Sequence, residues 1–232
     1  MTNRDVDFVS DAHFLACVGS VCKAYHEAKE NLSVEDLKGN GLDPFKTVFD
    51  IANRKLTFND WAKNEEIRQA DKTLNNKIGE FHQKLLGGVK GWVDLGVGNV
   101  SKLDLKNNTE TIFIELKNKE NTVNADSADK VRDKLEKALA DHPKATVYWA
   151  YIISKNNDSG EKIWEKKGRK TNDKIRRIWG AKVYELVTND KNALKKTWEA
   201  LPLAISDYFK GQVKISATDM KSLVGLFGSS LQ

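Results

Sequence analysis

Two short segments hold the residues with the clearest chemical potential, Lys102-Leu103-Asp104-Leu105-Lys106 and Ile112-Phe113-Ile114-Glu115-Leu116-Lys117. Side chains alternate faces along a strand, so Glu115 and Lys117 share one face while Ile114 and Leu116 enter the opposite, apolar layer. The intervening Asn107-Asn108 suits a tight antiparallel hairpin, which returns Asp104 to the same end of the sheet. Two carboxylates and an ammonium then converge. That set suits metal-assisted phosphodiester hydrolysis, in which a hard cation neutralises the scissile phosphate and acidifies the attacking water. Magnesium prefers oxygen ligands and keeps several waters. Asp104 and Glu115, with the Leu116 carbonyl, are the candidate ligands. Lys117 is the candidate for orienting the water and meeting developing negative charge, since an ammonium donates up to three hydrogen bonds. In a chain with 31% charged residues such spacing also occurs by chance, and most such triplets are solvated strand edges.

These residues need a sheet to position them. Strands are expected around Trp92 to Leu95, Lys102 to Lys106, Ile112 to Lys117, Thr146 to Ser154 and Lys182 to Thr188, all rich in β-branched and aromatic residues. Between the third and fourth lies Ser127 to Asp141, where Ala128, Val131, Leu135 and Ala138 keep helical spacing. A strand, helix, strand unit implies parallel strands joined by a right-handed crossover. Upstream, Phe14, Leu15, Val18, Val21, Cys22 and Tyr25 mark one buried face of a helix from Asp11 to Asn31. A Gly39-Asn40-Gly41 turn follows. A second helical stripe, Trp61, Ile67, Leu74, Ile78, Phe81 and Leu85, starts near Asn59 and stops at Gly87-Gly88. Asn192 to Phe209 reads as helical with a break near Pro202. The fold class is therefore α/β, a mixed central sheet flanked by helices. One nuclease domain over 1–232 is expected, with a mainly helical part (1–88), a catalytic sheet core (89–190) and a C-terminal helical segment (191–232).

Other residues stand beside the central triplet. Asp94, in Trp92-Val93-Asp94-Leu95-Gly96, is an alternative first acid. Glu80 is a further candidate catalytic acid on the helix before the sheet. Lys162, Lys166, Lys167, Arg169, Lys170, Lys174, Arg176 and Arg177 form a dense basic run, read as a flexible loop reaching phosphates or guanine edges. Guanine is best read by bidentate Arg, so Arg169, Arg176 and Arg177 are the readout candidates. Lys119, Asn121, Thr122 and Asn124 either cap the next helix or touch DNA beside the scissile phosphate. His13, His26, His82 and His142 have no zinc-like spacing, and His82 reads as a helix-surface residue. There is no phosphate-binding GxxxxGK[ST] loop, so ATP is not implied.

The hairpin resembles the PD-(D/E)XK nuclease core. The wider run, Lys77-Ile78-Gly79-Glu80-Phe81-His82-Gln83 to Gly91-Trp92, then Asp104-Leu105-Lys106-Asn107, then Phe113-Ile114-Glu115-Leu116-Lys117-Asn118-Lys119-Glu120-Asn121-Thr122, is similar to type II restriction endonucleases recognising GGNCC or GGWCC. A weaker echo lies at Tyr184-Glu185-Leu186-Val187-Thr188. Leu103 stands where that core often has proline. The resemblance implies that Asp104 and Glu115 bind Mg2+, that Lys117 serves catalysis, and that the substrate is double-stranded DNA cut at a short palindrome. A palindrome in turn implies a homodimer, and restriction implies a cognate DNA methyltransferase in the same system. A same-fold repair or junction-resolving nuclease and a non-catalytic DNA-binding protein are the competing functions.

Composition agrees with a DNA partner. Lys and Arg number 38 against 33 Asp and Glu, a formal charge of +5, and the pI is near 9.0, which favours a polyanion. Cys17 and Cys22 fit neither a CxxC motif nor a disulfide framework and are expected as buried thiols. No signal peptide pattern or apolar run of membrane-spanning length is present, so a cytoplasmic protein with no membrane partner is expected.

Overall fold

The apolar repeat after Asp11 forms helix α1 (Asp11–Glu30), burying Phe14, Cys17, Val18, Cys22 and Ala24. Tyr25, expected on that face, is instead 54% exposed, and the small Ala24 is the buried neighbour. The computed structural model describes residues 4–30, 41–96, 103–120, 125–227 and 231. The expected turn at Gly39-Asn40 lies outside them. The chain divides into two units, Gly19–Ile78 and the pair Met1–Val18 with Gly79–Gln232.

In the smaller unit, sequence reading missed helix α2 (Pro44–Arg54). Its start is nonetheless written in the chain: the Asp43 side chain accepts from the backbone N–H of Phe45 and Lys46, and Pro44 occupies the first turn, both favourable at a helix N-terminus. No residue of α2 is buried, and Phe45, Val48 and Phe49 face outward. Helix α3 (Phe58–Gly87) follows. Trp61 and Ala62 form a small core with Leu42, Ile51 and Leu56. Ile67, assigned to the buried stripe of α3, is 61% exposed. The inward positions nearby are taken by Glu65 and Gln69, which hydrogen-bond to each other at 3.0 Å, so a polar pair replaces the expected apolar contact.

The larger unit carries a six-stranded sheet in the order β1-β2-β3-β4-β6-β5. Its strands are β1 (Trp92–Asp94), β2 (Leu105–Asn107), β3 (Ile112–Lys119), β4 (Thr146–Ile153), β5 (Gly160–Ile163) and β6 (Ile175–Trp179). β1, β2 and β3 pair antiparallel, β3, β4 and β6 pair parallel, and β5 closes the far edge antiparallel to β6. The mixed α/β class read from sequence is therefore correct. Helix α4 (Ala125–Asp141) connects β3 to β4, as the strand, helix, strand pattern requires. Its Val131, Leu135 and Ala138 pack with Phe113, Val147, Trp149, Tyr151 and Ile175 in the main core.

Three expectations fail here. Lys182 to Thr188 is not a strand but helix α5 (Ala181–Thr188), because Val183, Tyr184 and Val187 recur at helical spacing and are buried together. Their β-branched and aromatic character favours a strand by propensity alone, and tertiary packing overrides it. The basic run is not one flexible loop: Lys162 lies on β5, and Arg176 and Arg177 lie on β6 between the buried Ile175 and Ile178. Helix α6 (Ala193–Tyr208) runs unbroken through Pro202. Proline in a helix interior costs about 3 kcal/mol, and burial of Ala193, Leu194, Thr197 and Ala204 along one stripe offsets it. Helix α7 (Ala217–Phe227) ends the described C-terminal region. No helix among the described residues is long and apolar enough to cross a membrane.

Candidate active site

The site grows from the register of the β2–β3 hairpin. Leu105 pairs with Ile114 and Lys106 with Phe113, and the ladder extends one step as Asp104 N–H donates to the Ile114 carbonyl at 3.0 Å. Asn107 fixes the turn: its side-chain oxygen accepts from Thr111 N–H at 2.9 Å and Ile112 N–H at 3.0 Å. The side chain thus mimics a backbone turn, as asparagine commonly does. Asp104 is thereby brought beside Glu115, and its Oδ2 accepts from Leu116 N–H at 2.6 Å.

Glu115 is 1% exposed, and a buried carboxylate needs partners. Lys117 Nζ donates to Glu115 Oε1 at 2.7 Å and to the Leu116 carbonyl at 3.2 Å, and it stands 3.8 Å from Asp104 Oδ2. Of the five residues singled out for metal binding and catalysis, four, Asp104, Glu115, Leu116 and Lys117, form one cluster, and Glu80 pairs with Lys84 on its own helix. Another member of the cluster was missed. Lys134, on α4, donates to Glu115 Oε1 at 2.8 Å and Oε2 at 3.0 Å. Only the finding that α4 covers this face of the sheet gives Lys134 meaning, since in sequence it is one of several charged residues on an amphipathic helix.

Burial, and then the negative charge of Glu115, hold the Asp104 carboxyl up at about 6, with Lys117, the Leu116 N–H and Lys134 acting in the opposite sense. Two close carboxylates of this kind are relieved by a bound cation. The donor set is all hard oxygen, two carboxylates and the Leu116 carbonyl, which suits a magnesium-type ion that retains waters. Among the described residues no group of three or more His, Cys, Asp or Glu gathers to hold a metal, so among them the two carboxylates are the only acidic ligands this site offers.

The remaining candidates sit elsewhere. Asp94 is used locally, its Oδ1 accepting from Gln83 Nε2 at 2.7 Å and from Gly96 N–H at 2.9 Å. Gly87 makes room for it, since a Cβ there would lie 2.5 Å from Asp94 Cβ. Glu80 forms an ion pair with Lys84 at 2.6 Å on its own helix. His82 is not a surface residue. Its Nδ1 lies 2.6 Å from the Tyr184 hydroxyl, and burial lowers its pKa to about 4. Cys17 and Cys22 are buried and unbridged, as expected.

The basic run is largely spoken for within the molecule. Arg169 contacts Asp133 at 2.6 Å, Glu136 at 3.1 Å and Asp129 at 3.6 Å, all on α4. Lys166 pairs with Asp129 at 3.1 Å. Arg176 pairs with Glu161 at 2.5 Å. Arg177 pairs with Glu120 at 2.7 Å and lies over the rings of Trp149 and Tyr151, 4.7 and 5.2 Å from their centroids. The almost fully buried Arg132 donates to the carbonyls of Trp164 and Lys170, tying the β5–β6 connection to α4. Lys167 and Lys170 are exposed, and their ammonium groups make no hydrogen bond or ion pair among the described residues. Lys119 ends β3 opposite Ile153 and is exposed. Asn121, Thr122 and Asn124 lie outside the described residues.

Comparison with known proteins gives the family. The family model described as Eco47II restriction endonuclease matches residues 6–210. The type II restriction enzyme Sau96I of Staphylococcus aureus is 28% identical, covering 100% of this chain and 90% of its own length. The type II restriction enzyme Eco47II of Escherichia coli is 34% identical, covering 86% of this chain and 88% of its own length. The match to the family model over residues 6–210 and to these relatives over most of the chain places this protein in the Eco47II restriction endonuclease family, as a site-specific endonuclease acting on double-stranded DNA.

Proposed function

We propose that this protein is a magnesium-dependent type II restriction endonuclease that hydrolyses phosphodiester bonds at a short palindrome of the GGNCC type. The observation that carries the reading is the convergence of Asp104, Glu115 and Lys117 at one end of the β2–β3 hairpin. Asp104, Glu115 and the Leu116 carbonyl hold the cation, with Asp104 rather than Asp94 as the first acid because Asp94 is engaged by Gln83 and Gly96. Bound there, magnesium supplies charge neutralisation at the scissile phosphate and a more acidic water. Lys117 leaves Glu115 to orient that water and to donate to the developing oxyanion. Glu80, next to Gly79, where an added Cβ would lie in ordinary contact with Asn118 Cβ at 3.8 Å, is a supporting acid in this reading.

DNA is held by Lys119, Asn121, Thr122 and Asn124 after β3 and by Lys167 and Lys170 in the β5–β6 connection, while Lys166, Arg169, Arg176 and Arg177, paired with carboxylates of the chain, brace that surface. The GGNCC specificity rests on the resemblance of the run Glu115 to Thr122 to enzymes of that group. A palindrome presents the same half-site to each strand, so two copies of the chain act together. A cell holding this activity protects its own sites through a cognate DNA methyltransferase, which need not touch the nuclease.

Digestion of plasmid DNA with magnesium and with chelator, followed by mapping of the ends, tests the reading. Discrete bands ending at paired guanines and cytosines are expected only with the metal. Smearing, or a preference for branched substrates, points to a repair or junction nuclease of the same fold. Discrete ends at a site lacking paired guanines remove the specificity and leave the chemistry.

A further inference from the structure

We propose that Lys134 exchanges partners during the reaction cycle, holding the Glu115 carboxylate in the metal-free enzyme and contacting a phosphate of bound DNA once the metal site is filled. The inference rests on the metal-dependent nuclease reading given above.

The Lys134 ammonium sits on both oxygens of Glu115, at 2.8 and 3.0 Å. With Lys117 also on Oε1, three of the carboxylate's roughly four lone-pair sites are taken, so a divalent cation competes with Lys134 for Glu115. Like charges at such separations also repel, even after solvent screening. Lys134 is able to leave. Its side chain is 32% exposed, the same as that of Lys117, and a lysine ammonium moves on a flexible four-carbon stem. The helix beneath it is anchored in the core by Val131, Leu135 and Ala138. Nearby α4 acids do not offer an easy resting place. Asp129 and Asp133 already serve Lys166 and Arg169, and Glu136 serves Arg132 and Arg169. A freed Lys134 ammonium beside the scissile phosphate therefore finds its counter-charge on the DNA backbone.

Lys134→Met removes the charge while keeping length and apolar contact. Calcium, used as a non-cleaving probe, is titrated by calorimetry into DNA-free protein. Lys134→Met is expected to bind it roughly fivefold more tightly than wild type, opposite in sign to the loss of a merely structural residue, and Lys134→Arg is expected to match wild type. With cognate duplex in calcium, the salt dependence of binding should become shallower for Lys134→Met by about one phosphate contact. Lys134→Gln repeats both measurements in case the methionine variant melts early. Calcium affinity that is unchanged or weaker, or an unchanged salt slope, overturns the exchange. Asp104→Asn is the control for the site itself. If it binds calcium as wild type does, the metal reading at these carboxylates falls and takes the exchange with it. If it does not, while Lys134→Met behaves as wild type, the exchange alone falls.

Discussion

The carboxylate centre and the basic β5–β6 region are both dense in charge, yet they are balanced in opposite ways. At the centre, two ammonium groups share one buried carboxylate, Glu115, and the neighbouring Asp104 is left with its pKa raised to about 6. In the basic region each arginine has at least one carboxylate within 2.7 Å, and Arg169 has contacts to three acids. The first arrangement matches two ammonium groups to two carboxylates but draws both to Glu115, so a cation from outside enters by displacing one of them. In the second the arginines are already paired, Arg169 with α4, Arg176 with Glu161 on β5 and Arg177 with Glu120 beyond β3, so they brace the fold before they can touch DNA. A run of like charge in sequence therefore says little about free charge in the fold. What counts is how many carboxylates the topology brings to it.

The sharpest way to break that contrast is at the centre. Lys117→Ala is expected to lower cleavage by roughly a hundredfold or more, the scale of losing one positioned electrostatic group, while specific binding in calcium is retained. Asp104→Asn should abolish cleavage, and Asp94→Asn should be much milder because its partners are Gln83 and Gly96. All three are read by initial rates on cognate DNA. If the two aspartate results are reversed, Asp94 is the first acid.

A smaller effect separates the strain at the centre from its chemistry. The Asp104 carboxyl titrates at about 6 in the folded protein against an ordinary 3.8. Below pH about 4 it is protonated whether folded or unfolded and carries no penalty. Above pH about 6 it is ionised in both, and the metal-free fold bears the whole cost of the raised pKa. That cost is at most about 3 kcal/mol. Asp104→Asn keeps an acceptor for Leu116 N–H, so in chelator at pH 8 it should stabilise the protein by about 1–3 kcal/mol, and the gain should vanish near pH 4. Urea unfolding at the two pH values checks this. His82 works in the opposite sense over a similar range. Its folded pKa is about 4, below the usual 6.5, so the stability it confers is lost as pH falls from 6.5 towards 4. The pH comparison is therefore made between variant and wild type, where the His82 contribution cancels.

The centre was legible because strand alternation and a short hairpin fix which side chains meet, and both are local properties of residues 104–117. The α4 crossover was legible for the same reason, through Val131, Leu135 and Ala138 at helical spacing. Lys134 was not, because its meaning depends on which sheet face α4 covers. β5 and β6 were hidden by their own charges: Arg176 and Arg177 stand between Ile175 and Ile178, and their pairing with Glu161 and Glu120 is set across distant segments. α5 was misread since Val183, Tyr184 and Val187 are as apt for a strand as for a helix, and the choice is made by burial. Helix α2 is the avoidable miss, for Asp43 and Pro44 announce it.

The smallest expected effect tests whether the basic region is neutralised in practice. Lys167 and Lys170 are exposed and have no ion-pair partner among the described residues, whereas Arg169 sits among Asp129, Asp133 and Glu136. A cation contributes to the salt dependence of DNA binding only by meeting a phosphate and displacing its counterions. Lys167→Ala and Lys170→Ala should therefore each flatten the slope by about one phosphate contact and weaken cognate and scrambled duplexes alike. Arg169→Ala should leave the slope nearly unchanged, since its guanidinium stays on α4. Binding isotherms in calcium across a salt series provide the slopes, and the cognate-to-scrambled ratio at one salt concentration provides the readout of bases. A slope for Arg169→Ala as flat as that of Lys167→Ala means that the arginine leaves its three carboxylates for a phosphate. A fall in the ratio by the ~1–3 kcal/mol of a lost guanine contact means that it leaves them for a base. Either result would make the acidic face of α4 a holding site for a DNA-contacting arginine rather than its permanent anchor.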